Sequence, residues 1–378
     1  MLRARQWGKG ANIAMDHQWQ LFRELTESVG VSGFEQDIRD VLARHLAPYG
    51  ELVTDHLGST VVHRRGAGGG PKLLVAAHMD EVGWLVSHVE DDGYLRIRPL
   101  GGWWGHVMLA QRVQVMTDRG PVLGVIGSRP PHMLKPKDRE AVMSIEEMFV
   151  DIGASSEAEA SELGVRPGCP MAPVSPLTAM GNPNFLLGKA WDNRAGCAAA
   201  ILALDELRDK SIAAHVYVGA TVQEEVGLRG AQTLAQQLKP DVAIALDVGL
   251  SGDIPGVKAR ESRAKLGKGV VVLLYDGSLV PNPTLRDLVI QTAEAEHIPY
   301  QLDSLGGGGT DGGKMQLVHS GVPTLALAVP TRYMHSHNVM VHREDLQAAA
   351  RLVAGFVRRL DGRMVEQIRN RERISHPG

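Results

Sequence analysis

The sequence predicts an α/β protein with a mostly parallel central sheet, broken by a β-rich insertion. Two patterns carry this reading. Apolar, β-branched runs alternate with helix-like segments in both the early and the late parts of the chain, as crossover connections between parallel strands require. Between residues 81 and 187 the texture changes to short β-rich runs separated by glycines. At 378 residues the chain is too long for one small core, so two domains are expected. The boundaries place a discontinuous α/β domain at 15–80 and 188–362, the insertion at 81–187, and terminal extensions at 1–14 and 363–378.

Taken in order, Leu21, Phe22, Leu25 and Val29 share one helical face that Gly30 would stop, and Phe34, Ile38, Val41, Leu42 and Leu46 mark a second. Short strands are expected around Leu52 and Val61, then a glycine-rich turn at 66–71 and the apolar run 72–77, which ends at His78. In the insertion, Val82, Trp84 and Val86 alternate, and runs at 94–98, 112–116 and 122–126 read as strands of a small barrel or sandwich. Short helices are expected near 144–148 and 157–163, with the proline-rich stretch 167–183 as the return linker.

The α/β pattern then resumes. Residues 195–207 form an alanine-rich helix able to lie close against a sheet, and Asp192 stands at its start, where Asp also serves as an N-cap. A strand runs into Glu224 and Glu225, followed by a helix at 228–238, a strand ending at Asp247, a strand at 270–274, a helix at 283–297 and the run 324–329 before His335. The stretch GGGGTDGG at 306–313 lacks the Gly-Lys-Ser/Thr ending of a phosphate loop, so it reads as a backbone passing close to a ligand or partner. Residues 344–360 close the fold as an amphipathic helix, and the arginine-rich tail reads as solvated or frayed.

Composition excludes several function classes. A net charge of -3 with 44% apolar residues lacks the basicity that nucleic-acid binding favours. No apolar run approaches the ~18 residues of a membrane span, and the N-terminal stretch with Arg3, Arg5 and Lys9 lacks the apolar core of a secretory signal. It reads as an extension upstream of a second start at Met15. Two cysteines, Cys169 and Cys197, are too few for a disulfide framework, and a reducing cytoplasm is expected.

The chemistry is at the strand ends. Four apolar runs deliver His78, the Glu224 and Glu225 pair, Asp247 and His335 toward one edge of a sheet, where open α/β sheets gather ligands. Imidazoles and carboxylates are the donor set of borderline divalent ions, zinc above all. Each residue alone has an ordinary solvation or turn role open to it; their recurrence favours a metal site. Asp80, two residues past His78, would accept from one ring nitrogen while the other binds metal. One of Glu224 and Glu225 can bind metal while the other takes a proton from water.

The motifs AHMDEVGW, KAWDNRAG, VQEEVGLRGA, ALDVG and TRYMHSH, in this order, closely resemble those of the tetrahedral-type dimetal aminopeptidases, which include glutamyl, leucyl and deblocking members. AQRV at 110–113, VIGSRPPH and GGGTDGG match as well, so the resemblance extends from about Leu21 to Leu360. It implies a metallopeptidase α/β sandwich with an inserted PDZ-like domain and self-assembly through dimers into a tetrahedral dodecamer. Two divalent metal ions per subunit, zinc or cobalt, would be bridged by Asp192. His78 and Asp247 would complete one site and Glu225 and His335 the other, with Asp80 behind His78. Glu224 would be the general base toward a metal-bridging hydroxide, and short peptides would lose their N-terminal residues. Departures lie after His335, where this chain has His337, Val339 and His342. His132 stands out in its Pro-Pro-His turn, although a solvent-facing turn role accounts for it. The rival readings are a deacylase or other amide hydrolase on the same platform, a glycan hydrolase using Glu224 and a second carboxylate, and a non-catalytic scaffold.

Overall fold

The structure, a computed structural model, describes residues 9–133 and 135–374. The expected 1–14 extension lies partly outside them; helix α1 spans Lys9–Glu27. Helix α2 (Gln36–Leu46) follows, burying Ile38, Leu42 and Leu46. Phe34, read as part of that buried face, precedes the helix and is 43% exposed, because the turn at Gly33 precedes the helical register. Strands β1 (Glu51–Thr54) and β2 (Thr60–Arg64) form an antiparallel pair, and β3 (Lys72–His78) enters the sheet centre.

The insertion is a closed barrel. Its strands are β4 (Gly83–Val89), β5 (Leu95–Leu100), β6 (Arg112–Thr117), β7 (Gly120–Gly127), β8 (Phe149–Asp151) and β9 (Pro170–Pro173), in the order β4-β5-β8-β7-β6-β9. Two short helices, α3 (Pro136–Arg139) and α4 (Glu157–Glu162), lie between its strands. Of the small barrel and the sandwich expected for it, the closed barrel is the one present. Part of the supposed linker at 167–183 is in fact β9, which closes the barrel by pairing Met171 with Trp84 and Val115. The prolines at its two ends conceal it in the sequence, yet a strand this short needs few N–H donors. The helix expected near 144–148 is only a 3₁₀ turn at Ile145–Glu147, and Trp84, Val113, Val115 and Val150 fill the barrel interior.

Past the barrel come β10 (Thr178–Ala179), β11 (Phe185–Gly188) and α5 (Trp191–Leu207), then β12 (His215–Thr221), α6 (Arg229–Leu238) and β13 (Val242–Leu250). The chain continues through β14 (Val270–Leu273), α7 (Pro283–Ala295), β15 (Tyr300–Asp303), α8 (Gly312–Met315), β16 (Thr324–Thr331), β17 (Val339–His342), α9 (Arg343–Arg359) and α10 (Gly362–Arg369). The tail read as frayed is thus helical through Arg369. Asp361 caps α10 by accepting from Met364 N at 2.8 Å, and Val365 and Ile368 are buried.

The main sheet has eight strands ordered β1-β2-β12-β3-β13-β16-β14-β15. Its central neighbours β12, β3, β13 and β16 are mutually parallel, while β2 and β14 join antiparallel on either side. Alternate residues face opposite cores. Val75 and Ile244 pack with α1, α2, α5 and α9, and Leu74 and Ala243 pack with α6 and α8. The consecutive alanines of α5 let this helix lie against β3 and α9, as its composition predicted. A small sheet, β10-β11-β17, pairs Gly188 with Val339. It thereby fastens the segment before Asp192 to the segment after His335.

Candidate metal centre

Because β12, β3, β13 and β16 run in the same direction, their carboxyl ends share one edge. His78 ends β3, Asp247 lies toward the end of β13, Glu224 and Glu225 occupy the turn after β12, and His335 follows β16. Asp192 reaches the same place from the start of α5. These six side chains are therefore brought together.

Asp192 sits between the two histidines. Its Oδ1 is 3.2 Å from His78 Nε2 and its Oδ2 is 3.4 Å from His335 Nε2. On the first side, Asp247 Oδ1 and Glu224 Oε2 stand 3.8 and 3.7 Å from His78 Nε2. On the second, Glu225 Oε2 is 3.4 Å from His335 Nε2. Three overlapping groups, His78/Asp192/Asp247, Asp192/Glu225/His335 and His78/Glu224/Glu225, each offer donor atoms within 4.8 Å of one another. The first two share Asp192, whose two carboxylate oxygens face different histidines.

Local structure aims these groups. His335 Nδ1 donates to the carbonyl of Gly102 at 2.7 Å, leaving Nε2 directed at Asp192. That contact comes from the loop after β5 and had no signal in the sequence beyond a pair of glycines. A Cβ on Gly102 would stand 3.1 Å from His335 Nδ1, and one on Gly101, where φ is +82°, 3.2 Å from Glu225 Oε2. Glycine is what allows the backbone so close to the site.

Two sequence readings change in detail. The Asp80 carboxylate was expected to accept from the His78 ring, but β3 ends at His78, and the ring Nδ1 lies 3.2 Å from the Asp80 carbonyl and 3.5 Å from its carboxylate. The carboxylate itself accepts from Glu224 N at 3.0 Å, Glu225 N at 3.2 Å and the Ser32 hydroxyl at 2.7 Å. Asp80 thus orients the turn that carries both glutamates as well as facing His78. Asp192, equally readable as an N-cap, does not cap. Its backbone is non-helical (φ -85°, ψ 103°), and the cap is Asn193, whose Oδ1 accepts from Gly196 N at 2.9 Å. Asn193 Nδ2 also donates to Leu246 O at 2.8 Å, tying the turn to β13.

The electrostatics fit cations. Asp80, Asp192, Glu224 and Asp247 are all buried, and among the described residues their ion-pair partners are histidines alone. Glu225 Oε1 is buried without a hydrogen-bond partner. Burial, reinforced by the neighbouring Asp192 carboxylate, pushes Glu225 and Asp247 up to about 8, and burial raises Glu224 as well. Burial would also raise Asp192, but hydrogen bonds from His335 and His78 outweigh it and hold that carboxyl low. The His335 ring resists burial and rises to about 9 because Asp192 and Glu225 face it. These are the shifts of a site whose negative charge exceeds what two imidazoles neutralise, and its oxygen and nitrogen donors suit divalent ions of the zinc type.

A buried network stands behind the ligands. Lys189 Nζ donates to Glu81 Oε1 at 2.6 Å and to Ser28 O at 2.9 Å, while Arg194 Nε donates to Met79 O at 2.8 Å. It clamps the turn after β3 to the start of α5. Ala190, Gln223 and His335 have φ of 58°, 55° and 55°, a conformation that costs a non-glycine residue about 1–2 kcal/mol, so three segments carrying the donors are held in strained backbone. His337 takes no part in the donor groups. It is buried 5.8 Å from the Trp84 ring and 5.5 Å from the Trp103 ring, and burial pushes it down to about 4. His132 is exposed in its turn. Trp191 packs edge-on against Phe22 at 5.7 Å.

The model of the family described as M42 glutamyl aminopeptidase matches residues 58–352. A lysyl aminopeptidase of Pyrococcus furiosus is 36% identical over 346 residues, covering 90% of this chain and 97% of that protein. A crystal structure of a TET aminopeptidase from the marine sediment archaeon Thaumarchaeota archaeon SCGC AB-539-E09 superposes with a TM-score of 0.91 at 42% identity, covering 94% of this chain and 99% of that one. The TET1 peptidase of Pyrococcus horikoshii, described as assembling into a tetrahedron or a large octahedral shell, has a TM-score of 0.81 at 33% identity, with 90% and 99% covered. A family match over most of the chain, together with relatives this similar along nearly their whole length, establishes that the protein belongs to the M42 glutamyl aminopeptidase family.

Proposed function

We propose that the protein is a two-metal aminopeptidase that removes N-terminal residues from short peptides. The observation that carries this reading is the Asp192 carboxylate, with one oxygen toward each histidine and a further carboxylate beside each. His78, Asp192 and Asp247 would hold one ion, and Asp192, Glu225 and His335 the other, zinc or cobalt being suited to the set. Bound there, the ions would supply Lewis acidity toward the peptide carbonyl and a lowered pKa for water.

Glu224 is the general base. Its carboxylate stands inside the cluster, and its raised proton affinity, set first by burial, lets it take a proton from the attacking water and return it to the leaving amine. Asp80 holds the Glu224 and Glu225 backbone N–H groups in place during this exchange. The carboxylate-rich pocket also gives a free α-ammonium group opposite charge, which favours exopeptidase action. Both cysteines are free and buried, which suits the reducing cytoplasm proposed for it, and among the described residues no helix is long and apolar enough to cross a membrane.

The discriminating experiment is a panel of aminoacyl chromogenic substrates and their N-acylated counterparts, assayed on metal-stripped protein with zinc, cobalt or manganese added back. Hydrolysis of free-amine substrates only after metal return is expected. Cleavage confined to N-acyl compounds would instead favour the deacylase reading, and no cleavage of either the scaffold.

Self-assembly into a dimer-based shell, a tetrahedral dodecamer in the fullest form, completes the proposal, with the inserted barrel at contacts. The barrel region exposes Leu123, Met133 and Val142, apolar side chains that a partner copy would cover. Sedimentation velocity is expected to give a mass many times the 40.8 kDa of one chain, and a monomer at micromolar concentration would refute it.

A further inference from the structure

We propose that the pocket beside the glycine-rich loop selects an uncharged, apolar N-terminal side chain, of leucine or methionine type, over glutamate or lysine. The inference rests on the aminopeptidase reading and supplies its substrate class. The donor groups open into a cavity of about 420 Å³, whose far wall is built from the loop 305–310 and the end of β13. Once the proposed ligands and Glu224 are set aside, no described residue lining it carries a formal charge. The side chains that remain are Leu228, Val248, Leu250, Leu305 and Met334, with the hydroxyls of Ser278 and Thr310.

Those hydroxyls are already committed. Ser278 Oγ donates to Asp276 Oδ1 at 2.7 Å and Thr310 Oγ1 to Asp276 Oδ2 at 2.8 Å. Asp276 itself is buried and also accepts from Ser278 N at 2.7 Å and Leu279 N at 2.9 Å, so it offers an incoming ammonium little. Nearby cations serve other surfaces. Arg229 Nη1 donates to Gln223 Oε1 at 3.1 Å, and Arg229 and Lys314 line a separate depression. Leu250, by contrast, is 50% exposed at the end of β13. An apolar side chain facing a reaction site without a partner is a surface that substrate would cover.

A glutamate entering this wall would lose its hydration with no lysine or arginine side chain lining the wall to pair with it. A lysine would find no carboxylate on the wall besides those assigned to the metal site and Glu224. Burying an unpaired charge is far costlier than burying a methylene chain. The second depression, on the other side of Gly102 and His335, also has no acidic or basic lining residue apart from histidines; Trp103, Trp104 and Tyr333 form its walls. It would suit the remainder of the peptide.

The test compares kcat/KM for leucyl, methionyl, glutamyl and lysyl p-nitroanilides on the full-length, metal-loaded protein, the leaving group being constant. Leucyl and methionyl substrates are expected to exceed glutamyl and lysyl ones by about 100-fold. A glutamyl or lysyl rate equal to or above the leucyl rate overturns the inference while leaving an aminopeptidase. Failure on every free-amine substrate with activity on N-acyl compounds overturns the inference along with the reading it rests on. A Leu250→Arg protein, altered at an exposed position, is expected to raise the glutamyl-to-leucyl ratio about tenfold or more, as a new ion pair at the site would. An unchanged ratio in that protein, with its leucyl activity intact, would show that the side chain binds away from this wall and refute the assignment.

Discussion

Replacing Glu224 with Gln is expected to lower kcat by about 10²–10⁴-fold, the range for loss of a general acid–base group, while leaving bound metal unchanged. Glutamine keeps the size and a polar tip at 3.7 Å from His78 Nε2, so the site retains its shape. What it loses is the capacity to accept a proton and hand it on. Metal content by elemental analysis, circular dichroism and single-turnover rates measured together separate this from collapse of the site. Activity within tenfold of the unaltered protein, with metal fully retained, would remove Glu224 from the mechanism.

Asp192→Ala is expected to be at least as severe for a different reason. Its two oxygens face different histidines, so a single truncation deprives both proposed ion positions of a donor. It also leaves Glu225 and Asp247 near imidazoles that no longer share an anion. The expected result is loss of bound metal from about two ions per chain to fewer than one, with activity reduced by roughly 10³-fold or more, as removal of electrostatic stabilisation at a reacting centre produces. Asn193 remains to cap α5 and bond Leu246, so the fold is expected to persist and circular dichroism to be preserved. Full occupancy by two ions in this variant would show that Asp192 is not shared between them. Asp247→Ala makes the useful contrast, since it touches only the His78 side.

The residues of the cluster were legible because each stands where an apolar run stops. His78, Glu224, Glu225 and Asp247 interrupt patterns that buried parallel strands would otherwise continue, and such interruptions recurring in adjacent strands favour a site. Asp192 was harder. Sequence position alone makes it a cap, and the distinction from Asn193 depends on backbone angles that no side-chain pattern encodes. Asp80 was found, but its main contacts are with the Glu224 and Glu225 backbone, across a gap of 144 positions from Asp80 to Glu224. Gly102 carried no chemical signal because it acts through its carbonyl. The barrel was visible as short glycine-spaced strands, whereas β9 was hidden by its prolines and α10 by its arginines.

The amino-acid order alone determined the alternation of strands and helices, the insertion and the identities of the candidate donors, since periodicity and residue type are local properties read by burial and solvation. Only the tertiary structure decided that Asp192 lies between two imidazoles, that Gly102 aims His335, that the insertion closes into a barrel, and that the cavity wall carries no charge. Each of these depends on segments brought together by the order and direction of strands in the sheet, and on side chains meeting across gaps that local sequence does not describe.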